Sequence, residues 1–235
     1  MTAKEIVAEL KTMGSATTKK TWMTHGAREP FFGVKVGDMK KIQQRVKKDY
    51  QLAIDLYATG ISDAMYLAGL IADDAAMTEA DLQRWVAGAY WYMISEYTVP
   101  WVAAGSRYGH VLALKWIDRP EPLVAAAGWS TFSSLVSTKP DSELDLPELK
   151  KLLGRVQKTI YTQPNRVRYT MNGFVIAVGS YVAPLTDVAV ATAEKIGSVA
   201  VDMPGTDCNV SLAAASIEKV RDRGTIGKKR KSAKC

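Results

Sequence analysis

The stretch LKKLLGRVQKTI, residues 149–160, gives the clearest indication of the fold. Its apolar residues recur at three and four positions, the spacing that places side chains on one face of an α-helix. Pro147 stands just before it, at the predicted first turn, where a missing backbone N–H costs nothing. The segment therefore predicts an amphipathic helix that packs by one face. The apolar residues are Leu149, Leu152, Leu153, Val156 and Ile160.

The same spacing recurs along most of the chain, and strand signals such as sustained two-residue alternation are missing. Glycines and prolines divide the sequence into roughly a dozen helices of ordinary length. Many helices joined by short turns are typical of stacked helix pairs. We therefore predict an all-α fold, an α-solenoid of HEAT-like antiparallel helix pairs, with one domain over residues 1–220 and a basic, disordered tail over 221–235.

Composition excludes several classes of protein. The chain has 235 residues, 47% of them hydrophobic, which is enough for a continuous core. Its only cysteines are Cys208 and Cys235, so neither a disulfide framework nor a metal cluster is expected. The apolar run Phe174–Leu185 is interrupted and too short to cross a bilayer. We expect a cytoplasmic monomer with no membrane contact, no metal and no cofactor.

Positive charge is concentrated in two places. The net charge is +7, yet the segment Lys35–Lys48 has six positive residues and one negative, and the last fifteen residues have seven and one. The rest of the chain is therefore acidic. Such patches suit the phosphates of double-stranded DNA, because each contact releases a condensed counterion. A solvated helix face with a solubilising tail explains the same pattern equally well.

An aromatic stretch, Tyr90–Trp101, contains five aromatic residues and one carboxylate. Tyr92 and Glu96 are four positions apart and would share a helix face. An aromatic ring beside a carboxylate suits a cationic ligand. On these residues alone the simpler interpretation is favoured, in which Trp91 is part of the core and Glu96 pairs with a lysine or arginine.

Four short runs, in their order along the chain, resemble the DNA alkylation repair family, the AlkD-like glycosylases of HEAT-like repeats. The runs are FFGVKVGDMKKI at Phe31–Ile42, WYMISEYTVP at 91–100, Lys115-Trp116-Ile117 and GTIGKKRKSAKC at 224–235. The resemblance covers most of the chain. It implies excision of N3- or N7-alkylated purines from duplex DNA, in which the site stabilises an oxocarbenium-like sugar and positions a water.

The resemblance also implies roles for particular residues. The family uses a Trp and an Asp four residues later, which correspond here to Tyr92 and Glu96. A shift by one residue gives Trp91 and Ser95 instead, and Ser95 has no charge. An Arg expected after Trp116 is missing, and a later aromatic falls near Asn172 and Phe174.

The DNA-binding candidates are a set of basic residues together with Trp91, which is expected beside the DNA. The segment after Pro164 provides two of them at a predicted helix start. The two histidines, without ligand-spaced companions, are interpreted as structural. The basic candidates are Lys35, Lys40, Lys41, Arg45, Arg166 and Arg168.

Three hypotheses follow. The first is an alkylpurine DNA glycosylase that uses Glu96 and Tyr92. The second is a noncatalytic protein that recognises damaged or distorted DNA by its shape, which the missing Arg and aromatic favour. The third is a protein-interaction scaffold, a common use of α-solenoids.

Overall fold

The computed structural model describes residues 1–203 and 209–234, and every regular element in them is helical. Two compact units are present, one containing Met1–Tyr108 with Lys234, the other Gly109–Asp202 with residues 209–233. No change in composition marks the division after Tyr108, where the sequence predicts a single domain. Cys208 and Cys235 lie outside the described residues, so the expectation about disulfides stays a prediction.

The first unit contains seven of the α-helices that the structure describes. Their starts follow local chemistry: Thr78 accepts a hydrogen bond from the backbone N–H of Asp81, and Asp81 accepts from the N–H of Thr78. This reciprocal cap satisfies two donors that a helix start leaves unpaired. The helices are α1 (Ala3–Met13), α2 (Ala16–Thr24), α3 (Val36–Val46), α4 (Tyr50–Ala58), α5 (Ser62–Ile71), α6 (Glu79–Gly88) and α7 (Val99–Gly105).

Helix α5 is the centre of this unit, since all ten of its residues are buried. It packs against α4 and against a π-helical turn, Ile94–Thr98, that leads directly into α7. Gly69 makes the second contact possible. A Cβ atom at this position would lie 2.6 Å from Cγ2 of Thr98, which is closer than packed atoms approach. The missing side chain therefore lets α5 support the π-turn.

The second unit contains six of the described α-helices. Helix α9 packs along α11, where Phe174 contacts the rings of Trp129 and Phe132 at centroid distances of 5.2 and 6.0 Å. Such aromatic pairs bury a large apolar area. The helices are α8 (Gly109–Trp116), α9 (Pro122–Thr138), α10 (Leu146–Thr159), α11 (Asn165–Tyr181), α12 (Thr186–Ile196) and α13 (Ala213–Asp222).

The predicted helix over residues 149–160 is confirmed as α10. Its four apolar residues from Leu149 to Val156 are buried, Pro147 lies in the first turn, and the helix packs against α12. Ile160 is buried in the short 3-10 segment that follows. The all-α prediction is confirmed for the residues that the structure describes.

The basic segment after Asp222 differs from the disordered tail that its charge predicts. Lys229 forms an ion pair with Asp141 at 2.7 Å and donates to the carbonyl of Val136. Lys234 forms an ion pair with Asp74 at 2.7 Å and donates to the carbonyl of Ala72 at 2.9 Å. Burial raises the pKa of Asp74 and lowers the pKa of Lys234. Buried acceptors order a segment that like-charge repulsion alone would leave extended.

In the described ranges, no single helix has the length and apolar composition needed to cross a membrane. Among the described residues, α11 and the segment Ala183–Ile196 reach the required length and apolar composition when taken together, but the two are bent by 117° relative to each other.

Candidate nucleic-acid interface

Helix α3 has a buried apolar side and a basic surface. Met39 and Ile42 are fully buried, while the polar residues between them reach the surface. Lys35, at the N-cap, is exposed, and Lys40 is half-buried. Neither forms an ion pair among the residues described in the structure, so both charges are available to an anionic partner.

The other two predicted basic residues of α3 are engaged with carboxylates. Lys41 is exposed and forms an ion pair with Asp38 at 2.7 Å. Arg45 forms an ion pair with Glu9 of α1. Exposed pairs of this kind contribute little to stability, and phosphate oxygens can replace the carboxylates. The four residues therefore lie on α3 and its N-cap, and Lys35 and Lys40 are the two without an ion pair among the described residues.

The segment that leads into α3 is fixed by Asp63, in the first turn of α5. Its carboxylate accepts hydrogen bonds from the backbone N–H of Phe32 at 2.5 Å and of Val34 at 2.7 Å. Asp63 is completely buried, and this burial raises its pKa although the two N–H groups act in the opposite direction. These two hydrogen bonds fix the direction in which the chain enters α3, and therefore the position of Lys35.

Tyr92 and Glu96 occupy the helical segment around the π-turn. Tyr92 is half-buried and meets the ring of Trp91 edge-on, at a centroid distance of 5.4 Å. Glu96 is 5% exposed, and Ser95 beside it is fully buried. π-turns inside α-helices are rare overall, but those that occur often lie at functional sites. The π-turn thus contains a buried carboxylate, four residues after a half-buried ring.

The predicted contact between Trp91 and DNA needs correction. Its side chain is only 5% exposed, packs with Ala27 and Phe31, and donates its indole N–H to the carbonyl of His25 at 3.0 Å. A ring whose polar atom is already paired inside a core has no face left for a ligand. Trp91 is part of the core, as the simpler interpretation held.

Arg166 and Arg168 lie in the first turn of α11, in the second unit, as the sequence predicts. The guanidinium of Arg166 lies 4.4 Å from the ring centre of Tyr169, and Arg168 donates to the Asn165 side chain at 3.3 Å. Both are half-buried. Their positions are compatible with phosphate contact, which stays a prediction.

The later aromatic expected from the resemblance is not at a surface. Phe174 is fully buried against Trp129 and Phe132, and Asn172 is buried and donates to the carbonyl of Ser211 at 3.0 Å. Phe174 is therefore a core residue and not a substitute for the family aromatic. In the described part of the chain, no three His, Cys, Asp or Glu side chains are placed to hold a metal ion.

Sequence reasoning missed a second basic surface, formed by α2 and the loop after it. Lys20 and Arg28 are exposed, Lys19 is half-buried and forms an ion pair with Glu29, and Trp22 follows Lys20 on the same helix. The basic residues of this segment could be seen in the sequence. The contact between Trp22 and Trp91 could not, because the two residues are far apart in the chain.

Comparison with known proteins agrees with this architecture. The family described as DNA alkylation repair enzyme matches residues 6–202. Two relatives, the uncharacterized proteins Lin0241 of Listeria innocua and Lmo0209 of Listeria monocytogenes, are each 32% identical over 229 residues, covering 95% of this chain and 99% of the relative.

A solved structure extends the likeness to the whole fold. It is 39% identical to this chain, covers 100% of both chains with a TM-score of 0.91, and is described as a new family of proteins related to the HEAT-like repeat DNA glycosylases with affinity for branched DNA structures. This match confirms the HEAT-like helical-repeat prediction. With the family match over residues 6–202, it follows that the chain belongs to the DNA alkylation repair family.

Proposed function

We propose that this protein binds DNA through the phosphate backbone and recognises branched DNA in preference to linear duplex. The observation that carries the proposal is the surface of α3, where Lys35 and Lys40 are accessible and unpaired among the described residues. Lys41 and Arg45 add two further charges at the surface of the same helix. The solved relative with affinity for branched DNA, alike over its full length, supports the choice of branched DNA.

Charge density explains why a branch is favoured. Where duplex arms meet, phosphates of different strands come close together, and a cluster of cations gains more than it would along one duplex. Lys19, Lys20 and Arg28 belong to the same unit as α3, so that unit has more than one basic surface to offer. Recognition by backbone and shape needs no contact with base edges.

The test is to measure dissociation constants for a four-way junction, a three-way junction and a linear duplex of matched sequence, at several salt concentrations. We expect the junctions to bind about tenfold tighter or better, equivalent to about 1.4 kcal/mol, with affinity that falls steeply with salt. Equal affinity for the linear duplex would contradict branch recognition. Undetectable binding to any DNA would instead favour the scaffold hypothesis.

A second candidate function is excision of alkylated purines, and the buried Glu96 on the π-turn beside Tyr92 favours it. In this reaction the bond between sugar C1′ and the purine nitrogen breaks, and the cationic base leaves as a neutral molecule. Glu96 would stabilise the positive charge left on the sugar and orient a water. The water oxygen then bonds to C1′ and the water loses a proton.

Release of 7-methylguanine and 3-methyladenine from methylated duplex DNA tests this candidate. If the protein excises, Glu96→Gln should lower the rate by about a hundredfold or more, because the neutral amide no longer opposes the developing charge. Glu143→Gln, which changes an exposed carboxylate, is the matched control and should leave the rate unchanged. Equal release of the bases by the wild type and by Glu96→Gln would show that Glu96 has no role in excision.

A further inference from the structure

A group of half-buried aromatic residues in the first unit contains two rings, Trp22 and Tyr90, that have no part in the functions described so far. We call it the Trp22 patch, and it consists of Trp22, Tyr90 and Tyr92 with Arg28. The three rings pack against a small core formed by Ala27, Phe31 and Trp91. Each ring keeps part of its surface accessible.

The ring of Trp22 is held in a fixed orientation. It lies nearly parallel to Phe31, with centroids 6.2 Å apart and an interplanar angle of 11°, and contacts Trp91 at 5.4 Å. Trp91 is itself tied to the carbonyl of His25. A ring held in this way and still partly accessible offers a contact surface that loses little conformational entropy on binding.

The surroundings of the patch are positively charged. The guanidinium of Arg28 lies 4.8 Å from the ring centre of Tyr90, and the exposed Lys20 lies on the same helix as Trp22. Next to Trp22, Met23 is 54% exposed. Aromatic rings with a guanidinium against one of them suit a planar base on a phosphate backbone.

We infer that the Trp22 patch stacks an unpaired nucleobase at the branch point of the DNA. The inference rests on the proposed branch recognition and names the DNA feature that would be recognised. In a linear duplex both faces of each base are covered by neighbouring pairs, whereas a branch leaves base faces open. Trp22 covers such a face, and Arg28, which lies against Tyr90, contacts a neighbouring phosphate.

The direct test uses wild-type protein and a three-way junction with unpaired 2-aminopurine at the branch. Stacking on tryptophan should quench the 2-aminopurine fluorescence when the protein binds. The same probe placed in a paired arm should not respond. Binding without quenching at the branch would overturn the inference while leaving branch recognition intact, and no preference for branched DNA would overturn both.

Variants give a second, independent measurement. Trp22→Ala should weaken binding to junctions with unpaired bases by about tenfold and leave a fully paired four-way junction unaffected, while Trp22→Phe should retain most of the affinity. The control Lys20→Ala removes a charge from the same helix and should weaken all DNAs alike, with a shallower salt dependence. If Trp22→Ala lowers affinity for both junctions equally, Trp22 has a structural role and the inference is wrong.

Discussion

Replacing Lys35 and Lys40 together with glutamate should weaken binding to branched DNA by roughly a hundredfold or more at moderate salt, because two phosphate contacts become two repulsions. The change should not disturb the fold. Lys35 makes no side-chain cap on α3, and glutamate is as good a helix former as lysine. Fluorescence anisotropy at several salt concentrations measures both the affinity and its salt dependence.

A milder variant distinguishes direct phosphate contacts of Lys35 and Lys40 from an effect of the net charge of the protein. With alanine at both positions, the slope of log affinity against log salt should become shallower by roughly two, one for each lost phosphate contact. The matched control for the double glutamate variant is Lys150→Glu with Lys151→Glu, two exposed lysines of α10, which alters net charge by the same amount as that variant. If the control weakens binding as much as the α3 variant, α3 is not the DNA-contacting surface.

Replacing Asp63 with alanine should lower the free energy of unfolding by about 3 kcal/mol or more. The change leaves the backbone N–H groups of Phe32 and Val34 buried without an acceptor, and each hydrogen bond to a charged group contributes about 1.5–3 kcal/mol. Because the same bonds fix the entry to α3, DNA affinity should fall as well. Chemical denaturation followed by circular dichroism measures the stability.

Two further variants check the reason for this loss. Asp63→Asn keeps one acceptor oxygen and should recover part of the stability. Asp55→Ala removes an exposed carboxylate of α4 that accepts from the Gln51 side chain, and it should change stability by less than about 0.5 kcal/mol. If Asp55→Ala lowered the free energy of unfolding as much as Asp63→Ala, the hydrogen bonds from Phe32 and Val34 to Asp63 would not explain the loss.

Much of the fold could be predicted from the sequence because it depends on local chemistry. The apolar spacing of α10 and the cap formed by Thr78 and Asp81 involve residues within one or two helical turns of each other. Such patterns are complete in a short window and do not need the rest of the chain.

The candidate site was less predictable, because its decisive contacts join distant parts of the chain. Asp63 reaches back 31 residues to Phe32, and Trp91 reaches 66 residues back to His25. Nothing near Trp91 in the sequence distinguishes a ring that is buried in a core from one that faces DNA. The basic residues after Asp222 likewise depend on acceptors that the preceding chain provides.

The ion pair between Lys234 and Asp74 has a consequence for how the protein is made. Lys234 belongs to the same unit as Met1–Tyr108, and its hydrogen bond to Ala72 joins residues 162 positions apart. A ribosome synthesises the chain in order, so α1 to α7 emerge first while their last ion-pair partner has not yet been polymerised. The first unit therefore gains this ion pair only after the helices of the second unit have been synthesised.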